Sequence, residues 1–404
     1  MSKPPSRKRV LMAFDWYDPK LHEGVAGYAL EHGWILNTHM TRTQQCPVGW
    51  RGDGVLGLIN NDATRDFVKS LDLPTVDMGG HYPEFPQILC DNYRVGQLAA
   101  EHFLERNHKN FAFFHIQSSR LEREIFGGFS STLEITGNTC ESRYWHDKQG
   151  DQENVIDYQA VQTWVKQQVK DLPRPLAVFC QNDDTAALIL SAIVEEGYHV
   201  PEEVAILGAG NSDLVCNFQP IQLSSIGSNL RGLANRLCVE LDRILKGHAP
   251  RKTPVRVQPG RIHARQSTNF LAVSNPHVRR VLREIWEKFD QPLNVEKLTE
   301  LVPISRSALY GLFIQEVGRP MARELMRIRI IKAKEMLAGT RLQVSEIGRR
   351  CGFTSPISFS RAFSTNAGMS AVEYRKSVLA YLKKENVSKD GDVANPGGLA
   401  AGTQ

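Results

Sequence analysis

Two stretches of the chain say nearly the same thing, and any fold has to accommodate both. "VEKLTELVPISRSALYGLF", Val295 to Phe313, returns as "VSEIGRRCGFTSPISFSRAF", Val344 to Phe363. The apolar positions correspond at an offset of 49 and, after one inserted residue, of 50. Leu298 pairs with Ile347, Val302 with Cys351, Ile304 with Phe353, Leu309 with Phe359 and Phe313 with Phe363. Each copy reads as a short helix, a turn and a longer helix. In the first, Ser305 is the candidate N-cap before "RSALYGLF". In the second, Gly352 supplies the turn, Ser355 or Thr354 the cap, and Pro356 the first helical turn. This is the grammar of a helix-turn-helix, written twice. The spacing makes Leu309, Phe313, Phe353, Phe359 and Phe363 core residues rather than contacts.

Between the copies runs "MARELMRIRIIKAKEMLAG", Met321 to Gly339, with Gly as its stop signal. A helix of that length spans ~27 Å at ~1.5 Å per residue. With the flanking modules added, the two second helices are expected about one DNA turn apart, ~34 Å, so that both enter successive major grooves. Charge agrees. The whole chain nets +5, yet Asn275 to Lys384 holds 20 Lys plus Arg against 10 Asp plus Glu. A basic final third on an acidic body predicts a polyanion partner for that third alone.

Residues 277–382 resemble the AraC-type DNA-binding domain of bacterial transcription regulators. The phrases "IRIIKAKEML", "VSEIGRRCGF", "FSRAF" and "EYRK" carry the likeness. The chain departs from that pattern at Ala371, where the family has Pro, and at "STNAG", where the family has basic residues. By position in the second helices, Arg306, Ser307 and Tyr310 are expected to face DNA from the first module. Ser358 and Arg361 are expected to do so from the second, Arg361 because the family places a DNA-contacting Arg there. Arg forks onto guanine or clamps phosphate, and Ser serves base or phosphate.

The front of the chain has another grammar. Residues 9–268 alternate apolar runs ("VLMAFD", "GVLGLI", "TVDMGG", "QILCD", "FAFFHI", "LAVFCQ", "VAILGAG") with amphipathic stretches such as "RVGQLAAEHFLERN". Continuous apolar strands separated by helices predict parallel sheets covered on both faces, here in two similar α/β lobes. Ligands of such sheets bind beyond the carboxyl ends of the strands. "NFLAVSNP", residues 269–276, breaks the pattern as a linker, and from His277 onward everything reads as helix. The last twenty residues, 385–404, are polar and Gly-rich and are expected to be disordered.

"DNYRVGQLAAEHFLERNHKNFAFF", "AVFCQNDDTAALILSAI" and "PEEVAILGAGNSD" resemble the effector domain of LacI-type regulators and periplasmic sugar-binding proteins. The LacI type carries its DNA-binding module in front, whereas here it stands behind, an order similar to that of xylose-operon regulators. The resemblance implies a two-lobed, periplasmic-binding-protein-like sensor (1–268) joined to an all-α double helix-turn-helix domain (277–384). It places Asp91, Arg120 and Asn182 where the family contacts its sugar; carboxylate, guanidinium and amide match vicinal hydroxyls. Trp16 and Tyr17, after the first strand, offer faces for a pyranose ring. Asp183 and Asp184 read more simply as caps of the following helix. Gly210 stands where the family has an Asp that grips sugar hydroxyls, so the resemblance does not commit the chain to xylose.

Other function classes find little support. No G-x-S-x-G elbow, H-E-x-x-H or Walker motif is present, and "GAGNSD" lacks the G-x-G-x-x-G spacing. Seven scattered cysteines, none in a C-x-x-C pair, read as reduced, buried thiols. No apolar run reaches membrane length, and the basic N-terminus lacks a signal-peptide h-region. The expectation is a sugar-responsive, sequence-specific DNA-binding regulator, most simply an activator: not an enzyme, with no cofactor or metal. It is expected to be cytoplasmic and homodimeric, with operator DNA, a small sugar and RNA polymerase as partners. The alternatives are a sugar-binding module without regulatory coupling and, with less behind it, a sugar-modifying enzyme.

Overall fold

Apolar side chains on both sides of a strand require cover on both sides, and the first strand shows the principle. The computed structural model describes residues 7–116, 119–145 and 157–377; the expected tail 385–404 and the last residues of the expected DNA-binding domain lie outside them. In chain order the strands are β1 (Arg9–Phe14), β2 (Ile35–Asn37), β3 (Gly54–Leu58), β4 (Thr75–Asp77), β5 (Ile88–Cys90), β6 (Asn110–His115), β7 (Cys140–Tyr144), β8 (Leu176–Cys180), β9 (Val204–Gly210), β10 (Ser224–Gly227), β11 (Val255–Val257) and β12 (Ile262–His263). Along β1, Val10, Met12 and Phe14 pack with Val25, Leu237 and Leu241, while Leu11 and Ala13 pack with Met40 and Val68. β6 repeats this: Ala112 and Phe114 meet Val161 and Val165, and Phe111 and Phe113 meet Phe103 and Phe129. Alternation at a period of two thus buries every residue of the run.

The chain divides into two compact units, Met1–Ala272 and Val273–Gln404. The first contains two sheets. One has the parallel order β2-β1-β3-β4, extended through an Asp77–Gln87 bridge towards the parallel pair β5–β11. The other has the order β12-β10-β9-β8-β6-β7, parallel except for the edge strand β12. The chain passes from the first lobe to the second after β5, returns after β10 with the Leu230–Leu245 helix and β11, and crosses again to β12. Three crossings side by side make the hinge of a two-lobed domain. The apolar runs expected as strands all are strands. β2, β7 and β10 escape a hydrophobicity reading because they are short or polar. β7 is an edge strand, "CESRY", and in β10 the buried Ser224 hydroxyl donates to the Arg265 carbonyl at 3.1 Å.

The helices Asn92–Leu104 and Arg120–Ile135 meet through two glycines. A Cβ at Gly96 would overlap the Ile125 carbonyl, and one at Gly128 the Tyr93 carbonyl. Gly96→Ala is therefore expected to destabilise the chain by about 1–3 kcal/mol through overpacking, read from the urea midpoint.

Beside this pair, His108 is buried against the Phe103 ring, and neither ring nitrogen has a partner among the described residues. Burial, aided by the Arg106 charge, pushes its pKa down to about 3. The unfolded chain therefore takes the proton first. Stability is present above the ordinary histidine range and is lost as pH falls through it towards the depressed value. Between pH 7 and 5 this residue alone is expected to remove about 2 kcal/mol, and His108→Leu should flatten that slope in denaturation measured at several pH values.

Of the cysteines, Cys180, Cys216, Cys238 and Cys351 are buried, but Cys46, Cys90 and Cys140 are only partly so; none of the seven is in a disulfide.

The second unit is helical: Pro276–Glu287, Val295–Thr299, Arg306–Val317, Met321–Gly339, Val344–Arg350 and Pro356–Ala367, with 371–377 also helical. Leu309, Phe313, Phe353, Phe359 and Phe363 are all buried, as their spacing requires. The long Met321–Gly339 helix packs on both helices of the second module and on the Pro276–Glu287 helix. From its middle, the Arg329 Nε donates to the Phe289 carbonyl at 2.7 Å and Nη2 to the Gln291 carbonyl at 2.9 Å. Gly352 turns beside this guanidinium at φ +78, where a Cβ would meet the Phe289 carbonyl.

Candidate ligand cleft and nucleic-acid interface

At the carboxyl ends of the strands the two lobes touch through polar groups. Asp77, fully buried at the end of β4, accepts from the backbone N–H groups of Ile59, Gly79 and Gly80 at 3.0, 3.1 and 2.9 Å. Burial raises its pKa, and the three donors oppose that rise. The carboxyl thereby fixes the turn after β4 and aims the Gly80 carbonyl outwards. Onto that carbonyl the Arg120 Nη1 donates at 2.6 Å from the other lobe, while its Nε reaches Glu124 at 3.3 Å. Glu124 in turn crosses back to Arg256 on β11, accepting two bonds of 2.7 and 3.1 Å. The Arg256 bonds, chiefly, lower the Glu124 pKa. This clamp is therefore intact above the ordinary carboxylate range and is lost only as pH falls through the lowered value. A further link joins the lobes where the Lys20 Nζ donates to the Asn211 carbonyl at 3.4 Å.

The residues that the sequence singled out occupy this rim in different ways. Trp16 and Tyr17 follow β1 and are 53% and 42% exposed; Tyr17 meets His22 edge-on. Asp91 caps the Asn92–Leu104 helix: one oxygen accepts from Arg94 N at 3.1 Å, the other from Gln258 Nε2 at 2.8 Å. Asn182, not Asp183 or Asp184, is the N-cap of the Asp183–Glu195 helix, its Oδ1 accepting from Thr185 N at 2.8 Å. A neutral amide caps through its oxygen, and its Nδ2 has no partner among the described residues. Asp183 instead turns inward, accepting from Ser212 N at 2.7 Å, with its pKa raised by burial. This gives a physical reason for glycine at 210. That residue has φ +121, and a side chain there would begin 3.3 Å from the Asp183 carboxylate, so a second carboxylate would face like charge. Glu124, Arg256, Gln258 and Lys20 were not legible in the sequence. They belong to no local motif and meet only because the chain crosses between lobes.

In the second unit both second helices are capped as the sequence requires. The Ser305 Oγ accepts from Ala308 N at 3.2 Å, and Ser355 forms a reciprocal capping box with Ser358. Arg306, Ser307 and Tyr310 line one surface groove of about 550 Å³ together with Val295 and Met321. Arg306 leans on Glu296 at 3.4 Å, an exposed pair of little weight. Ser358 is exposed but occupied: its hydroxyl donates to the Ser355 carbonyl at 2.8 Å. Arg361 is exposed, and its guanidinium has no partner among the described residues.

Comparison with known proteins agrees with both halves. Residues 100–268 match the periplasmic binding protein-like domain, and residues 298–377 match a helix-turn-helix domain. The xylose operon regulatory protein of Escherichia coli K12 is 25% identical over 384 residues, covering 91% of this chain and 97% of that protein. The one from Haemophilus influenzae is 24% identical over 335 residues, covering 80% and 84%. This chain is a DNA-binding transcription regulator with a helix-turn-helix domain. Its front half is periplasmic-binding-protein-like. The solved structure of a xylose-binding transcription activator, xylR, has the same fold, with a TM-score of 0.67 at 23% identity over 92% of the regulator and 99% of that chain. A LacI family regulator from Mycobacterium smegmatis matches the front alone, with a TM-score of 0.51 at 19% identity over 66% of this chain. Among the described residues no cluster of metal-ligating side chains occurs, and no helix is long and apolar enough to cross a membrane.

Proposed function

We propose that this regulator is sugar-responsive: a small sugar binds between the lobes of the front unit and changes how the DNA-binding unit is presented to operator DNA. The observation that carries the reading is the coexistence, in one chain, of a hinged two-lobed domain whose polar residues bridge the lobes and a tandem helix-turn-helix unit. In the site, Arg120 and the Asn182 amide supply donors, Asp91 an acceptor, and Trp16 and Tyr17 the apolar face for a sugar ring. In the second unit, Arg306, Ser307, Tyr310 and Arg361 contact DNA, with Ser358 holding the start of its helix against the groove, and the two modules address successive grooves. The regulator acts in the cytoplasm as a homodimer joined through the front unit. It activates by presenting RNA polymerase with a bound promoter. The xylose named for its relatives makes pentoses the first effectors to try, and the glycine at 210 makes other sugars worth including.

The test is a thermal-shift screen of the full chain against pentoses and hexoses, followed by gel shifts on DNA from its own promoter region. A sugar held at 100 times its dissociation constant should add about 2.7 kcal/mol of stability. No stabilisation by any sugar, with DNA binding intact, would remove the sensing half of the proposal.

A further inference from the structure

The second helix-turn-helix carries a large apolar side chain that its own core does not use. Ile357 occupies the first turn of the Pro356–Ala367 helix and is 82% exposed. The core of that module closes on Phe353, Phe359 and Phe363 without it. One turn further along the same face stands Arg361, exposed and without a partner among the described residues. The arginines of the module's first helix are otherwise engaged, for Arg349 and Arg350 both pair with Glu346. Ser358, adjacent to Ile357, spends its hydroxyl in the capping box. The leading edge of this helix therefore offers one branched alkyl group and one guanidinium.

We propose that Ile357 is a base-reading residue that recognises the C5 methyl group of a thymine in the major groove, beside a guanine read by Arg361. The proposal rests on the DNA-binding reading above and adds what the second module reads. Thymine is the one ordinary base that shows an alkyl group in the major groove, and guanine shows the acceptor pair that an arginine fork matches. Four residues along a helix advance ~6 Å, about two base-pair steps at ~3.4 Å each. The thymine and guanine therefore fall within about two steps of one another. The first module cannot duplicate this contact. At the offset of 50 that aligns the second helices, Ser307 stands where the second module has Ile357. The two half-sites are thus unlike in sequence, which fixes the direction in which one chain lies along its operator.

The test uses duplexes enriched from a random pool by the full-length chain, with each thymine then replaced singly by deoxyuridine, which removes only the methyl group. One replacement is expected to weaken binding about fourfold, the worth of one buried methyl group. It should lie within two base pairs of the guanine whose recognition Arg361→Ala relaxes. Ile357→Ala should weaken binding to the parent duplex and show no further loss on the replaced one. Ser307→Ala should retain the full thymine–deoxyuridine difference. Because Ile357 lies outside the core, the variant is expected to melt like the parent chain. Equal affinity for thymine and deoxyuridine at every position would overturn the proposal. So would a difference that persists unchanged in Ile357→Ala. Both outcomes leave DNA binding itself standing, whereas failure of the chain to enrich any duplex would overturn the DNA-binding reading as well.

Discussion

Binding of the full chain to its selected DNA is expected to fall by about three orders of magnitude between 50 and 200 mM salt, the loss typical of six or more neutralised phosphates. The reason is where the charge sits. Asn275 to Lys384 carries 20 Lys plus Arg against 10 Asp plus Glu in a chain that nets only +5. Some of those cations are spent internally: Arg327 on the buried Glu324, Arg329 on the Phe289 and Gln291 carbonyls, Arg349 and Arg350 on Glu346. Of the others, Arg306 and Arg361 lie on the two second helices themselves. Removing one phosphate contact should lower the slope of log affinity against log salt by about one and weaken all sequences alike. Arg361→Ala should also relax specificity at a single position, because a forked contact to guanine reads sequence. Affinity that barely responds to salt would assign the basic charge to the stability of the unit rather than to DNA.

The parts of this molecule that the sequence discloses are those written in local patterns. β1, β6 and β8 appear as continuous apolar runs because both faces are covered, and the second helices appear because Ser305 and Ser355 precede them at capping spacing. The duplicated phrase discloses the architecture of the second unit, since Phe313 and Phe363 can be in register only if the two modules are built alike. What stayed hidden depends on distant pieces meeting. Glu124 and Arg256 are 132 residues apart and touch only after the chain has crossed between lobes twice. Asn182 was expected to meet the sugar and Ser358 the DNA, yet Asn182 is the cap of its helix and Ser358 returns a bond to the cap residue Ser355. Residue type reports what an atom can bond, and only the fold reports whether another group has already claimed it.

Loss of the sugar response is the expected result of Arg120→Ala, with sugar affinity lowered by about 5- to 150-fold, the equivalent of ~1–3 kcal/mol for polar groups left unpaired. Arg120 stands on the second lobe, and its Nη1 donates to the Gly80 carbonyl of the first. On the proposed reading it acts twice, as a donor to the sugar and as a tie between the lobes. Glu124→Gln acts mainly on the tie between the lobes. It removes the charge that draws Arg256 across the hinge at 2.7 Å and weakens the longer 3.3 Å contact to the Arg120 Nε, but leaves the Arg120 Nη1 bond to the Gly80 carbonyl. If lobe closure is what the DNA-binding unit senses, Glu124→Gln should weaken the sugar-dependent change in operator affinity even where direct sugar contacts survive. The coupling must also be reciprocal, because a ligand shifts an equilibrium only by its differential affinity for the two states. Operator DNA should tighten sugar binding by the same factor by which sugar tightens operator binding, about 5- to 150-fold for ordinary coupling energies. Calorimetric titration of sugar with and without saturating operator, and of operator with and without saturating sugar, measures both factors. Unchanged sugar affinity in Arg120→Ala would place the ligand elsewhere. Equal sugar affinities with and without operator would mean that this chain binds a sugar and binds DNA, but that neither event is felt by the other.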